Sequence, residues 1–191
     1  MLLKNIVIYF VDDMLNIVYN NRVININLKN ILNKGIIIHK QKFMEEFISI
    51  LKREKIKGKL FGDTITIVKN NFYNDRDLFY LESIFTELGF LKVNFLDINE
   101  LLPDDSATYI EINNSYICIY LDKCVYLDLD LFKDIPKILD YFNDSYHENI
   151  ILFGLNKNIP NINIKNKYVY YLQNYNNYIT ESLLKVKKYG V

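Results

Sequence analysis

Net charge is missing from this chain of 191 residues: 23 Lys and Arg balance 23 Asp and Glu. A protein that tracks a phosphate backbone needs a basic face, so no nucleic-acid partner is expected. Tryptophan is absent, and there are only two cysteines, two histidines, three prolines and six glycines. Neither His39 nor His147 has a Cys, Ser or second His at motif spacing, and both read as surface histidines. No zinc spacing, nucleophile elbow or P-loop is found. "NIVIYFV" is far shorter than the roughly 20 apolar residues of a membrane helix. It stops at Asp12 and Asp13. No small-residue cleavage site follows it, so it does not read as a signal peptide, and a cytoplasmic protein without direct membrane insertion is expected.

The cysteines fit that compartment. In "CIYLDKCVYL" a hairpin turning at Asp122 and Lys123 pairs Leu121 with Cys124 and sets Cys118 opposite Leu127. The two thiols are then not opposed, and both are expected reduced and half-buried.

What the chain does contain is apolar surface. Half its residues are hydrophobic, with 16 Tyr and 12 Phe, enough for a sizeable core. Ile, Asn, Lys, Tyr and Phe dominate, which is the signature of AT-rich codons, so the asparagines carry less functional signal than usual. Residues 5–28 read as two or three short strands turning at Asp12-Asp13 and Asn20-Asn21. Residues 39–55 predict a helix with Phe43, Phe47, Ile50 and Leu51 on one face. A strand over 63–69 follows. A second helix is capped by Asn74, carries an inner stripe of Leu78, Leu81, Phe85 and Leu88, and is stopped by Gly89. A strand over 91–98 comes next, and strand–helix–strand implies parallel pairing.

"NELLPDDSA" is the best boundary, dividing residues 1–102 from 103–191. Beyond it, residues 108–129 give a second set of hairpin strands. Residues 134–142 predict a short helix with Pro136 in its first turn, and 148–153 a strand. Residues 167–172 predict a last strand, and 176–188 a terminal helix that either stays with the second half or packs back on the first. Its Lys185, Lys187 and Lys188 read as a solvated helix end. The two halves repeat one plan in the order of their elements.

That plan resembles the actin-like ATPase superfamily. "NIVIYFVDDMLNIVYNNRV" stands where the family has its first phosphate hairpin, and "TYIEINNSYICIYLDKCVYL" where it has the second. "NIILFGLNKNIP" with the terminal helix resembles the adenosine-loop strand and closing helix. The resemblance implies an α/β fold of two small actin-like (RNase-H-like) lobes, each a mixed sheet with hairpin strands and flanking helices. The family's hairpins read Asp-x-Gly, the glycines admitting backbone amides to phosphate. Here Asp12 and Asp13 lack a glycine, Glu111-Ile112-Asn113-Asn114-Ser115 keeps an acid only, and Gly154 is followed by Leu155. Asp12, Asp13, Glu111, Asn113, Asn114, Ser115 and Gly154 are therefore expected to be a vestigial nucleotide site, with no cofactor, ATP with Mg²⁺ being the one to test.

Within the superfamily the role implied is a cytosolic scaffold. It is similar to the pilus-assembly protein PilM or to the actin-like cytoplasmic domain of type II secretion platforms, bound to the cytosolic tail of an inner-membrane protein. Two alternatives stay open: a degenerate ATPase or carboxylate–metal nuclease, in which Asp12, Asp13 and Glu111 converge on Mg²⁺, and a phage-encoded inhibitor acting by protein binding. The competing reading of those acids is a hairpin turn and an exposed strand residue. Tyr168, Tyr170, Tyr171, Tyr175 and Tyr178 read either as an interface or as strand packing.

Overall fold

The computed structural model describes residues 6–20, 22–56, 64–69, 73–101, 107–113, 115–120, 125–128, 149–153 and 168–171. The helices expected over 134–142 and 176–188, the Asp122-Lys123 turn, Asn114, Cys124, His147, Gly154, Tyr175 and Tyr178 lie outside these residues. The chain divides into two compact units whose division falls between Glu100 and Leu101.

The first unit is built on strands β1 (Ile6–Val11), β2 (Met14–Tyr19), β3 (Arg22–Asn27), β6 (Thr64–Lys69) and β7 (Lys92–Asp97), in the order β3-β2-β1-β6-β7. The hairpin neighbours are antiparallel, while β6 pairs parallel to β1 and β7 parallel to β6. Parallel neighbours need long crossovers, supplied by helices α1 (Lys40–Arg53) and α2 (Asp75–Glu87). The second unit repeats this arrangement with β8 (Ala107–Ile112), β9 (Tyr116–Tyr120), β10 (Val125–Asp128), β11 (Asn149–Phe153) and β12 (Tyr168–Tyr171), ordered β10-β9-β8-β11-β12. The pairing senses match strand for strand.

Strand β1 is buried along its whole length. A strand covered on both faces has no polar side to alternate with, which is why "IVIYFV" is a continuous apolar run. Its Ile6, Ile8 and Phe10 join Leu15, Ile17, Ile65 and Ile67 in the core beneath the helices. Helix α1 buries Phe43, Phe47, Ile50 and Leu51, the face its periodicity predicts. Helix α2 buries Leu81, Ile84 and Phe85, with Leu88 beyond its end. Leu78 is partly buried and packs against this core, and Ile84 joins the expected stripe. Phe47 is the hinge of this packing, its ring 5.6 Å from Phe43 and 5.5 Å from Phe85. Stacked and edge-on contacts of this kind add to the area the rings bury.

The helix ends follow local chemistry. Asn74 Oδ1 accepts from the amides of Arg76 and Asp77, and Asp77 Oδ2 accepts from the Asn74 amide, forming a capping box. Gly89 ends α2 at φ +96°, which costs a residue without Cβ nothing. Lys55 takes the same position after α1 at φ +52°. There the Ile56 amide reaches the Leu51 carbonyl at 2.9 Å.

One hairpin went unread in the sequence and one register needs correction. A short hairpin, β4 (Leu32–Asn33) with β5 (Ile36–Ile37), lies between β3 and α1; two-residue strands leave no periodic signature. In the second unit Cys118 pairs with Tyr126 rather than Leu127, because Ile119 is opposite Val125. An odd number of residues separates those two, where a two-residue turn requires an even number. The Cys118 side chain is buried.

Truncating Phe47 to Ala removes contacts to Phe43, Phe85 and Phe90 at once. It should cost about 3–5 kcal/mol, whereas Asn74→Ala should cost about 1 kcal/mol. Urea denaturation checks both; comparable losses would contradict this account of the first core.

Candidate functional site

The β1–β2 turn places Asp12 and Asp13 between paired Val11 and Met14. Asp12 adopts φ +50°, a region that Asp and Asn enter more readily than other side chains. Asp12 is buried, 5% exposed, and Asp13 is half-buried. The chain folds back over this turn. The Gly35 amide donates to the Asp12 carbonyl at 2.7 Å, and the Leu28 amide to the Asp13 carbonyl at 2.6 Å. The Tyr73 hydroxyl donates to the Gly35 carbonyl at 2.7 Å. Gly35 has φ +78°, and a Cβ there would stand 3.4 Å from the Phe10 carbonyl oxygen and 3.5 Å from the Tyr73 hydroxyl. The β4–β5 hairpin is thus a staple on the first turn, made by a glycine that the sequence reading passed over.

In the second unit Glu111 lies near the end of β8, and its side chain is wholly buried, as is that of Asn113. The expectation of an exposed strand residue at Glu111 is overturned. Its neighbours Ile110 and Ile112 are buried too, because this strand, like β1, is covered on both faces. The Asn113 side-chain amide donates to Glu111 Oε1 at 2.8 Å. The Tyr120 hydroxyl donates to Oε2 at 2.5 Å. The Asn113 backbone amide donates to the Tyr116 carbonyl at 2.9 Å and closes the turn. Ser115 lies inside that turn, partly exposed. Two donors, one from the turn and one from β9, thus meet on one carboxylate.

Sequence reasoning had singled out Glu111, Asn113 and Ser115 but not Tyr120. The signal was present: on an antiparallel pair in which Glu111 faces Cys118, the tyrosine two residues further lies within reach of a long side chain. His39 is exposed at the start of α1 and makes no side-chain cap there.

The chemistry open to these groups is narrow. Each oxygen of Glu111 already accepts a hydrogen bond from a buried donor, Asn113 on Oε1 and Tyr120 on Oε2, and displacing either donor would leave it buried without its acceptor. Asp12 and Glu111 belong to different units. Among the described residues no three of His, Cys, Asp and Glu gather into a set that could hold a metal ion. None of the described helices is long and apolar enough to cross a membrane.

No protein-family model and no curated protein matches the chain by sequence. Solved structures match by fold. The cytoplasmic domain of EpsL, an inner membrane component of the type II secretion system of Vibrio cholerae, aligns at TM-score 0.56 and 6% identity, over 95% of both chains. MreB 5 of Spiroplasma citri, bound to AMPPNP, aligns at TM-score 0.54 and 12% identity, over 76% of this chain. The match spans only 58% of that MreB 5 chain. The fold is therefore an actin-like α/β fold of two mixed-sheet units. At these identities the likeness concerns fold alone.

Replacing Glu111 with Leu leaves the Asn113 amide and Tyr120 hydroxyl buried without their acceptor, and should cost about 3 kcal/mol. Glu111→Gln keeps the shape and one acceptor oxygen, and should cost less than half as much. Gly35→Ala forces a Cβ into a left-handed, crowded position and should cost about 1 kcal/mol or more. Chemical denaturation of each variant decides. A Glu111→Leu protein as stable as the parent would remove the structural role assigned to this carboxylate.

Proposed function

We propose that this chain is a non-catalytic actin-like module that binds a peptide or cytosolic tail of a membrane partner, within a type II secretion or type IV pilus assembly platform. The observation that carries the reading is the extent of the fold match. It runs end to end, over 95% of both chains, with a secretion-platform cytoplasmic domain. With the nucleotide-bound MreB 5 it covers little more than half of the partner structure.

The turns support the same reading. Backbone approach to a phosphate asks for glycine or for a turn free to present its amides. The first turn has no glycine, and its Asp12 and Asp13 carbonyls are held by the Gly35 and Leu28 amides; the second has the Asn113 amide spent on the Tyr116 carbonyl. The module would stand in the cytoplasm at the inner face of the membrane, held there by its partner.

A degenerate ATPase is the rival that the MreB 5 likeness favours. Calorimetric titration of the full chain with ATP and Mg²⁺ separates the two. The scaffold reading expects no binding at millimolar nucleotide; micromolar affinity with turnover would replace it by the ATPase. The tail of a true membrane partner, at a hundredfold excess over its Kd, should raise stability by about 2.7 kcal/mol.

A further inference from the structure

Phe79 is 72% exposed on a helix whose packing does not require it. At about 100° per residue, the buried stripe of α2 (Leu81, Ile84 and Phe85), continued by Leu88, centres roughly opposite Phe79. The ring therefore stands at the middle of the solvent face. The helix beneath is rigidly begun by the Asn74 capping box and seated by Phe85. An aromatic group held this way binds without a large loss of conformational freedom.

Its surroundings choose the partner. The neighbours of Phe79 one turn away are Asp75, Arg76, Glu82 and Ser83. Across α2 four acids (Asp75, Asp77, Glu82 and Glu87) face one base, Arg76, a net of −3, in a chain whose total charge is zero. Asp77 is engaged in the cap and Glu87 pairs with Lys40, which leaves Asp75 and Glu82 with Arg76 around the ring, a net of −1. A second copy of α2 laid on this face would meet the same net negative charge, and anionic lipid headgroups would be disfavoured for the same reason.

We propose that the solvent face of α2 is a protein-docking surface. Phe79 is its anchor, Asp75 and Glu82 its rim, and its occupant is a basic segment of another protein that offers an apolar side chain to Phe79 between its cations. This names the partner chemistry of the scaffold reading and rests on that reading only for the existence of a protein partner.

The test uses the full chain and two short labelled peptides of equal apolar content, one rich in Lys and Arg and one rich in Glu, followed by fluorescence anisotropy at low salt. The basic peptide should bind and the acidic one should not. Phe79→Ser should weaken binding roughly tenfold with an unchanged melting temperature, since the ring is exposed. The pair Asp75→Lys with Glu82→Lys should reverse the preference toward the acidic peptide. Equal binding by Phe79→Ser, indifference to peptide charge, or no binding of the basic peptide would overturn the proposal. Self-association lost in Phe79→Ser, or sedimentation with phosphatidylglycerol vesicles in place of peptide binding, would overturn it in favour of a second copy or a membrane. None of these outcomes alters the ATP titration, so a failure here is distinguishable from a failure of the scaffold reading.

Discussion

A carboxylate sealed inside a sheet has to find its donors within the chain, and much of the second unit's hairpin is arranged around that demand. Glu111 takes one hydrogen bond from Asn113 and one from Tyr120. Asn113 can reach it only because the turn closes on Tyr116, and Tyr120 only because β8 and β9 pair in a register that sets Glu111 beside Cys118. A slip of one residue would send every side chain of β9 to the opposite face and leave the acid unsatisfied. Burial of a polar group thus fixes register here, as a buried aromatic cluster fixes the first unit.

The two units reach the same topology with different materials. Where the first places Phe10 beneath its helices, the corresponding strand of the second carries Glu111 one position before its end. The first hairpin is held from outside by the Gly35 staple and Tyr73, the second from within by the Glu111 network. Both solutions tie polar groups of a turn to the chain itself.

Much of this was legible in the sequence. The period of Phe43, Phe47, Ile50 and Leu51 announced α1, Asn74 announced the start of α2 and Gly89 its end. The repeated order of elements announced a two-fold plan. The rest lay in long-range pairing, which local patterns do not carry. Nothing near Gly35 in the chain points to Asp12 or Tyr73, 23 positions before it and 38 after it. Glu111 read as exposed because an acid on a strand is exposed by default; the apolar residues on both sides of it were the sign that the strand is covered on both faces. The register of Cys118 failed because the turn length was assumed to be two.

The central proposal, that the second hairpin is closed on itself and cradles no phosphate, is tested most directly by amide hydrogen exchange at Asn113. The account predicts slow exchange of this amide, which bonds the Tyr116 carbonyl, at a rate unchanged by millimolar ATP with Mg²⁺. Fast exchange in the free protein that slows on adding nucleotide would show the turn open and ligand-bearing, and would contradict it.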